Sequence, residues 1–154
     1  MFKYILYLFL FIPVFIAAQA DSFQLKCPLD NAIKVPPAGN IVIYTDPDLR
    51  IVLKSLSDTI VKAVYNGIIT NLEFQEDSLN GLVMFAKINK QDYYFWYKGL
   101  SRLLVRRNVK VVAGQPLGIL APGGQLDFLV FRFETPVDPL LHLDCLAILK
   151  EEKH

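Results

Sequence analysis

Imidazole and thiol side chains, the usual bases, nucleophiles and zinc ligands, are sparse in this chain. There are two histidines. His142 follows the last strand-like run and His154 is the final residue, so neither is placed to share a metal with other ligands, and each reads as structural or solvent-exposed. Ser101 has no nearby histidine to take its proton, and a serine hydroxyl without a base is a poor nucleophile. The two cysteines, Cys27 and Cys145, read as a disulfide that closes most of the chain, with a pair of buried thiols as the alternative. Paired sulfurs offer no thiolate for catalysis.

Aromatic residues are more abundant. In Tyr93-Tyr94-Phe95-Trp96-Tyr97 the alternation of a strand sends Tyr94 and Trp96 to one face and Tyr93, Phe95 and Tyr97 to the other. One of these faces is core. The other is either buried as well or available as a contact surface, a role that suits the flat apolar body and polar handle of tyrosine and tryptophan. Arg102, Arg106, Arg107 and Lys110 cluster in sequence and read as a solvated positive edge.

The elements that would position these residues are strands. Runs rich in Val, Ile, Phe and Tyr at 41–45, 49–54, 60–65, 68–74, 82–88, 92–98, 109–112, 117–120 and 125–133 are separated by Pro36-Pro37-Ala38-Gly39, Asn66-Gly67, Asn80-Gly81, Ala113-Gly114 and Pro122-Gly123-Gly124. This is strand-and-turn punctuation, and no segment holds a helical period over three turns. The expected class is all-β, a sandwich or barrel rather than alternating β-α units. Residues 21–39 read as an extended leading segment and 146–154 as a short charged tail, both loosely packed apart from their cysteines.

Ahead of this region the chain runs Met1, Phe2, Lys3, then without charge through 4–18 to Ala18-Gln19-Ala20. That pattern predicts a secretory signal peptide over 1–20, cleaved after Ala20, with an uncleaved anchor as the alternative. The apolar stretch falls short of the ~20 residues that span a bilayer, and Pro13 interrupts it, so no stable membrane span is expected after cleavage. Taking 20 residues from 154 leaves 134, enough for one domain over 40–145 and too few for a second. Lys3 is the only charge lost, so 16 basic residues become 15 against 15 acidic ones. This balance gives no sign of a nucleic-acid partner.

Four stretches in order resemble the LytM/lysostaphin-type zinc endopeptidases that cleave peptidoglycan, which have the duplicated hybrid motif fold. They are Val61-Lys62-Ala63-Val64-Tyr65-Asn66-Gly67-Ile68-Ile69; Tyr97-Lys98-Gly99-Leu100-Ser101; Val109-Lys110-Val111-Val112-Ala113-Gly114-Gln115-Pro116-Leu117-Gly118; and Gln125-Leu126-Asp127-Phe128 followed by Thr135-Pro136-Val137-Asp138-Pro139. The match runs from about Asp48 to Leu143. It implies a compact antiparallel sandwich or half-barrel. Active members hold zinc with a His, an Asp four residues later and the second His of a His-x-His on the last core strand, while the His of a Tyr-x-His-Leu segment assists catalysis.

At these positions the chain has Asp48, Val52, Gln125 and Asp127, with Gly99 at the assisting His. Valine cannot ligate zinc, and two carboxylates lack the imidazole partners such a site requires. The resemblance therefore implies a degenerate member with no metal and no cofactor, a pseudoenzyme whose cleft could serve as a binding or regulatory module in cell-wall metabolism. Its expected partner is an envelope protein or a peptidoglycan fragment, and its expected location is periplasmic or extracellular, across the inner membrane. The candidate surface comprises Arg50, Tyr94, Trp96 and Tyr97, with Asp48, Arg50, Gln125 and Asp127 near the cleft floor and Gly99 facing open space above it. Two alternatives stand beside this reading. One is residual hydrolase activity. The other is a biotinyl/lipoyl-like half-barrel carrier, suggested by Ala63-Val64-Tyr65-Asn66-Gly67 and Ala113-Gly114-Gln115-Pro116-Leu117-Gly118, although no modifiable lysine in a hairpin turn accompanies them.

Overall fold

Strict alternation at residues 91–100 produces the longest strand of the computed structural model, which describes residues 22–37, 46–75 and 79–145. The predicted signal peptide, the predicted strand at 41–45 and the charged tail lie outside the described residues. In chain order the strands are β1 (Leu25–Lys26), β2 (Ile33–Val35), β3 (Ile51–Lys54), β4 (Ile60–Lys62), β5 (Gly67–Glu73), β6 (Asn80–Ile88), β7 (Gln91–Leu100), β8 (Arg102–Leu103), β9 (Lys110–Val111), β10 (Pro116–Ile119), β11 (Leu126–Arg132), β12 (Thr135–Val137) and β13 (Leu143–Asp144). The one helical element among the described residues is a single 3₁₀ turn, Pro139–Leu141, capped by the Asp138 carboxylate. The fold is all-β, as its sequence pattern predicts.

Eight strands form one sheet, in the order β2-β3-β11-β7-β6-β5-β9 with β12 added to β11. A second sheet, β4-β10-β8, covers one face of it, and a short parallel pair, β1-β13, closes a corner. The β6–β7 hairpin is the spine. Its two-residue turn places Asn89 and Lys90 at φ 49° and 64°, the left-handed pair that matches the twist of the flanking strands. Contrary to the sequence expectation, a hairpin turn does carry a lysine, namely Lys90.

The core lies between the two sheets. Leu53, Ile69, Met84, Phe95, Tyr97 and Phe128 from the large sheet meet Val61, Val64, Leu117 and Leu120. Tyr97, offered by sequence as part of a contact surface, is fully buried, and its hydroxyl accepts the Val64 backbone N–H at 3.0 Å. Burial pushes the pKa of that hydroxyl well up. Alternation groups Tyr97 with Tyr93 and Phe95, the face that the structure makes core, and the buried Val64 N–H gives its polar tip a partner there.

The leading segment is not loosely packed. Leu25, Leu29 and Ala32 are buried in the same core, β2 adds an edge to the large sheet, and Lys62 ties Asp30 at 2.6 Å and Asp58 at 3.5 Å. The Asp30 carboxylate beside Lys62 holds its ammonium above the ordinary lysine range. Cys27 and Cys145 are bridged with their Cα atoms 4.9 Å apart, so β1 and β13 are joined covalently as well as by hydrogen bonds. A short segment with little alternation can still be core when three apolar side chains and a crosslink anchor it, and strand periodicity does not register that.

Candidate functional site

The opposite face of the large sheet carries the positions that resemble a zinc site. On β11, Leu126, Phe128 and Val130 point into the core, which turns Asp127, Leu129 and Phe131 to the outer face. Asp127 stands directly across from Val52 on β3 and from Lys98 on β7. Gly99, next along β7, packs its backbone against Gln125. The chain thus brings together the five positions read from sequence, even though none of them carries the expected ligand.

The centre of this cluster is a guanidinium. Arg50 donates through Nη1 to Asp127 Oδ2 at 3.2 Å, and its Nε lies 3.0 Å from Asp48 Oδ2. The Asp48 carboxylate also accepts the Arg50 backbone N–H at 3.2 Å, which fixes the turn leading into β3. Asp127 is buried at 6% exposure whereas Asp48 is exposed. Burial raises the Asp127 pKa against the opposing pull of Arg50, and the Asp48 charge adds to the rise. Sequence placed Arg50 on a contact surface, but the structure turns it inward as the cation that neutralises the two acids. The spacing signals the Asp48 half alone, because an aspartate can accept the backbone N–H two residues on in a turn.

These residues do not fit zinc. The two carboxylates already share a guanidinium, Val52 is buried and apolar, and Gln125 offers only an amide. No group of three His, Cys, Asp or Glu side chains able to hold a metal occurs among the described residues. His142 is elsewhere, in the β1–β13 corner. It stacks on Phe23 at 4.0 Å, and its Nδ1 lies 3.1 Å from the Phe23 carbonyl oxygen.

Gly99 corrects a second expectation. It does not face open space: its φ is +101°, and a Cβ there would collide with the Gln125 carbonyl oxygen. Only glycine allows β7 and the start of β11 to approach so closely. A bulky residue at 99 would break the sheet before it could block a cleft, so a Gly99→Trp variant cannot report on binding.

Further along the outer face, Tyr94 and Trp96 are half-exposed; Arg102, Arg106, Arg107 and Lys110, in β8, β9 and the loop between them, are exposed. Trp96 leans on Phe131 with ring centroids 5.4 Å apart, and Lys98 Nζ lies 5.0 Å above the Trp96 ring while pairing with Glu73 at 3.3 Å. Tyr94, Trp96, Val83, Phe131, Phe133, Thr70, Asn71 and Glu134 line a groove of about 620 Å³. Sequence reasoning named the two β7 aromatics and missed those of β11. Alternation in 125–133 would have placed Phe131 and Phe133 on the same face.

No known family profile and no curated protein matches the sequence. Solved structures do match. Csd3 of Helicobacter pylori aligns with 77% of this chain and 34% of its own at 14% identity and a TM-score of 0.59. The antimicrobial peptidase lysostaphin from Staphylococcus simulans aligns with 71% and 48% at 23% identity and a TM-score of 0.52. A point mutant of the catalytic domain of prophage-encoded EnpA from Enterococcus faecalis aligns with 77% and 95% at 18% identity and a TM-score of 0.53. The chain spans about a third of Csd3 and half of lysostaphin, and nearly all of the EnpA domain. With its antiparallel sheets, its converging set of five altered positions and these likenesses, the chain has the LytM/lysostaphin-type peptidase fold in a degenerate form.

Proposed function

We propose that this protein is a noncatalytic LytM-like module of the bacterial cell envelope, exported across the inner membrane, that works by binding in peptidoglycan metabolism. One observation supports the reading: Arg50 bridges Asp48 and Asp127, two of the positions that resemble the zinc ligands of active LytM-type members. A bound guanidinium has no open coordination position, cannot ionise a water and cannot polarise a scissile carbonyl as zinc does. The disulfide suits an oxidising compartment. The partner is a peptidoglycan fragment or an envelope protein that acts on it.

Incubation of the exported protein with purified sacculi tests this. Chromatography of the supernatant should show no released muropeptides after prolonged digestion, while the protein cosediments with sacculi or with sacculi carrying a bound cell-wall hydrolase. Muropeptide release by the wild type that disappears in Asp127→Ala would contradict the proposal.

A further inference from the structure

Three independent features of the backbone and surface meet at the groove on the outer sheet face. The first is a β-bulge on β5. Ile69 pairs with Met84 and Asn71 with Val83, leaving Thr70 as an extra residue, whose carbonyl oxygen accepts Arg107 Nε at 2.9 Å. Bulges re-aim side chains and are enriched beside binding and active sites. The second is Phe133, which sits in the two-residue turn between β11 and β12 at φ 55°, in the left-handed region, with its N–H held by the Asp92 carbonyl oxygen at 2.8 Å. A bulky residue in this conformation is strained, and such strain collects at ligand clamps. Phe133 is nonetheless 65% exposed. The third is the platform between them, Tyr94, Trp96 and Phe131.

Charge narrows the ligand. Lys98, over Trp96, is paired with Glu73 at 3.3 Å, and Arg107, which donates to the Thr70 carbonyl oxygen, offsets Glu134 of the lining, so the charges around the groove balance and favour neither a cation nor an anion. What remains suited to the groove is a neutral molecule with apolar faces and many hydroxyls. Aromatic rings stack on its C–H faces, Asn71 and Glu134 offer amide and carboxylate groups to its edges, and the Thr70 hydroxyl, which donates to the Val83 carbonyl oxygen at 3.2 Å, can only accept there.

We infer that the Tyr94–Trp96–Phe131–Phe133 groove is a binding site for a neutral oligosaccharide. The inference does not depend on the Arg50 centre being catalytically silent. Trp96 is the only tryptophan of the chain, so its fluorescence reports the groove without a label. Titration of the full exported protein with a panel of neutral tetrasaccharides built from N-acetylglucosamine, glucose or mannose should give a saturable change with at least one of them at millimolar concentration or below. Choline should give none. Phe133→Gly should weaken that binding roughly five- to tenfold, the loss of one stacked ring. By relieving the left-handed strain the same variant should also raise Tm by roughly 3 °C or more. Binding and stability moving in opposite directions separate a ligand clamp from a merely structural turn. The inference is overturned if no saccharide of the panel changes the fluorescence, if choline binds instead, or if Phe133→Gly binds as tightly as the wild type.

Discussion

Replacing both Cys27 and Cys145 by alanine is expected to destabilise the protein by about 4–5 kcal/mol, as the loop-entropy relation gives for a bridge of this length. The two residues are 118 apart in sequence, so the crosslink removes a large part of the unfolded chain's freedom. That loss compares with a total stability of ~5–15 kcal/mol for a domain. The native state has its own stake in the bridge, because β1 and β13 are only two residues each and the leading segment delivers Leu25, Leu29 and Ala32 to the core. Urea unfolding of the double variant should show a midpoint far below that of the oxidised wild type, with protection of the leading segment against proteolysis lost first. A change below ~1 kcal/mol would mean that packing alone holds the corner, with the crosslink adding nothing of the size the loop relation gives.

Arg50→Met should cost roughly 2–4 kcal/mol at neutral pH, less than the ~3–5 kcal/mol for opening a fully dry ion pair, because the Asp48 half of the bridge is solvated. The loss falls on Asp127, which stays buried beside Val52 and loses its neutralising partner. Its pKa is already raised by burial. Between the ordinary carboxylate value and the raised one, the folded state holds a proton that the unfolded chain has released, so stability from this group falls as pH rises through that window. Removing Arg50 takes away the attraction that restrains the shift and extends the window upward. The destabilisation is therefore largest at neutral pH and shrinks on acidification. Asp48→Asn should change stability by no more than ~1 kcal/mol. An Arg50→Met penalty that is flat or growing toward acid would show that the guanidinium acts through packing of its stem instead of through Asp127.

Much of this was legible in the residues, for identifiable reasons. Strand alternation at 91–100 and 125–133 separates the two faces of the large sheet, and the resemblance points to Asp48 and Val52, of which the register sets Val52 across from Asp127 while Arg50 links Asp48 to it. What escaped depended on contacts between segments distant in sequence. Tyr97 was read as surface because its partner, the Val64 N–H, comes from the other sheet. Gly99 was read as facing open space because the Gln125 carbonyl that forbids a side chain there arrives from β11's approach. Arg50 was read as a contact residue because an exposed-looking Asp-x-Arg does not announce that a buried carboxylate will meet it from another strand. The leading segment was misjudged because its three apolar residues follow no period.

The central claim is that an internal cation, not a metal, neutralises the acids at this centre. Elemental analysis of the exported protein, purified without chelator and dialysed against zinc-containing buffer and then against buffer alone, tests it most directly. Zinc is expected far below one equivalent per chain, with a melting curve unchanged by a strong chelator. One zinc per chain that survives dialysis, with a melting temperature that falls on chelation, would contradict it.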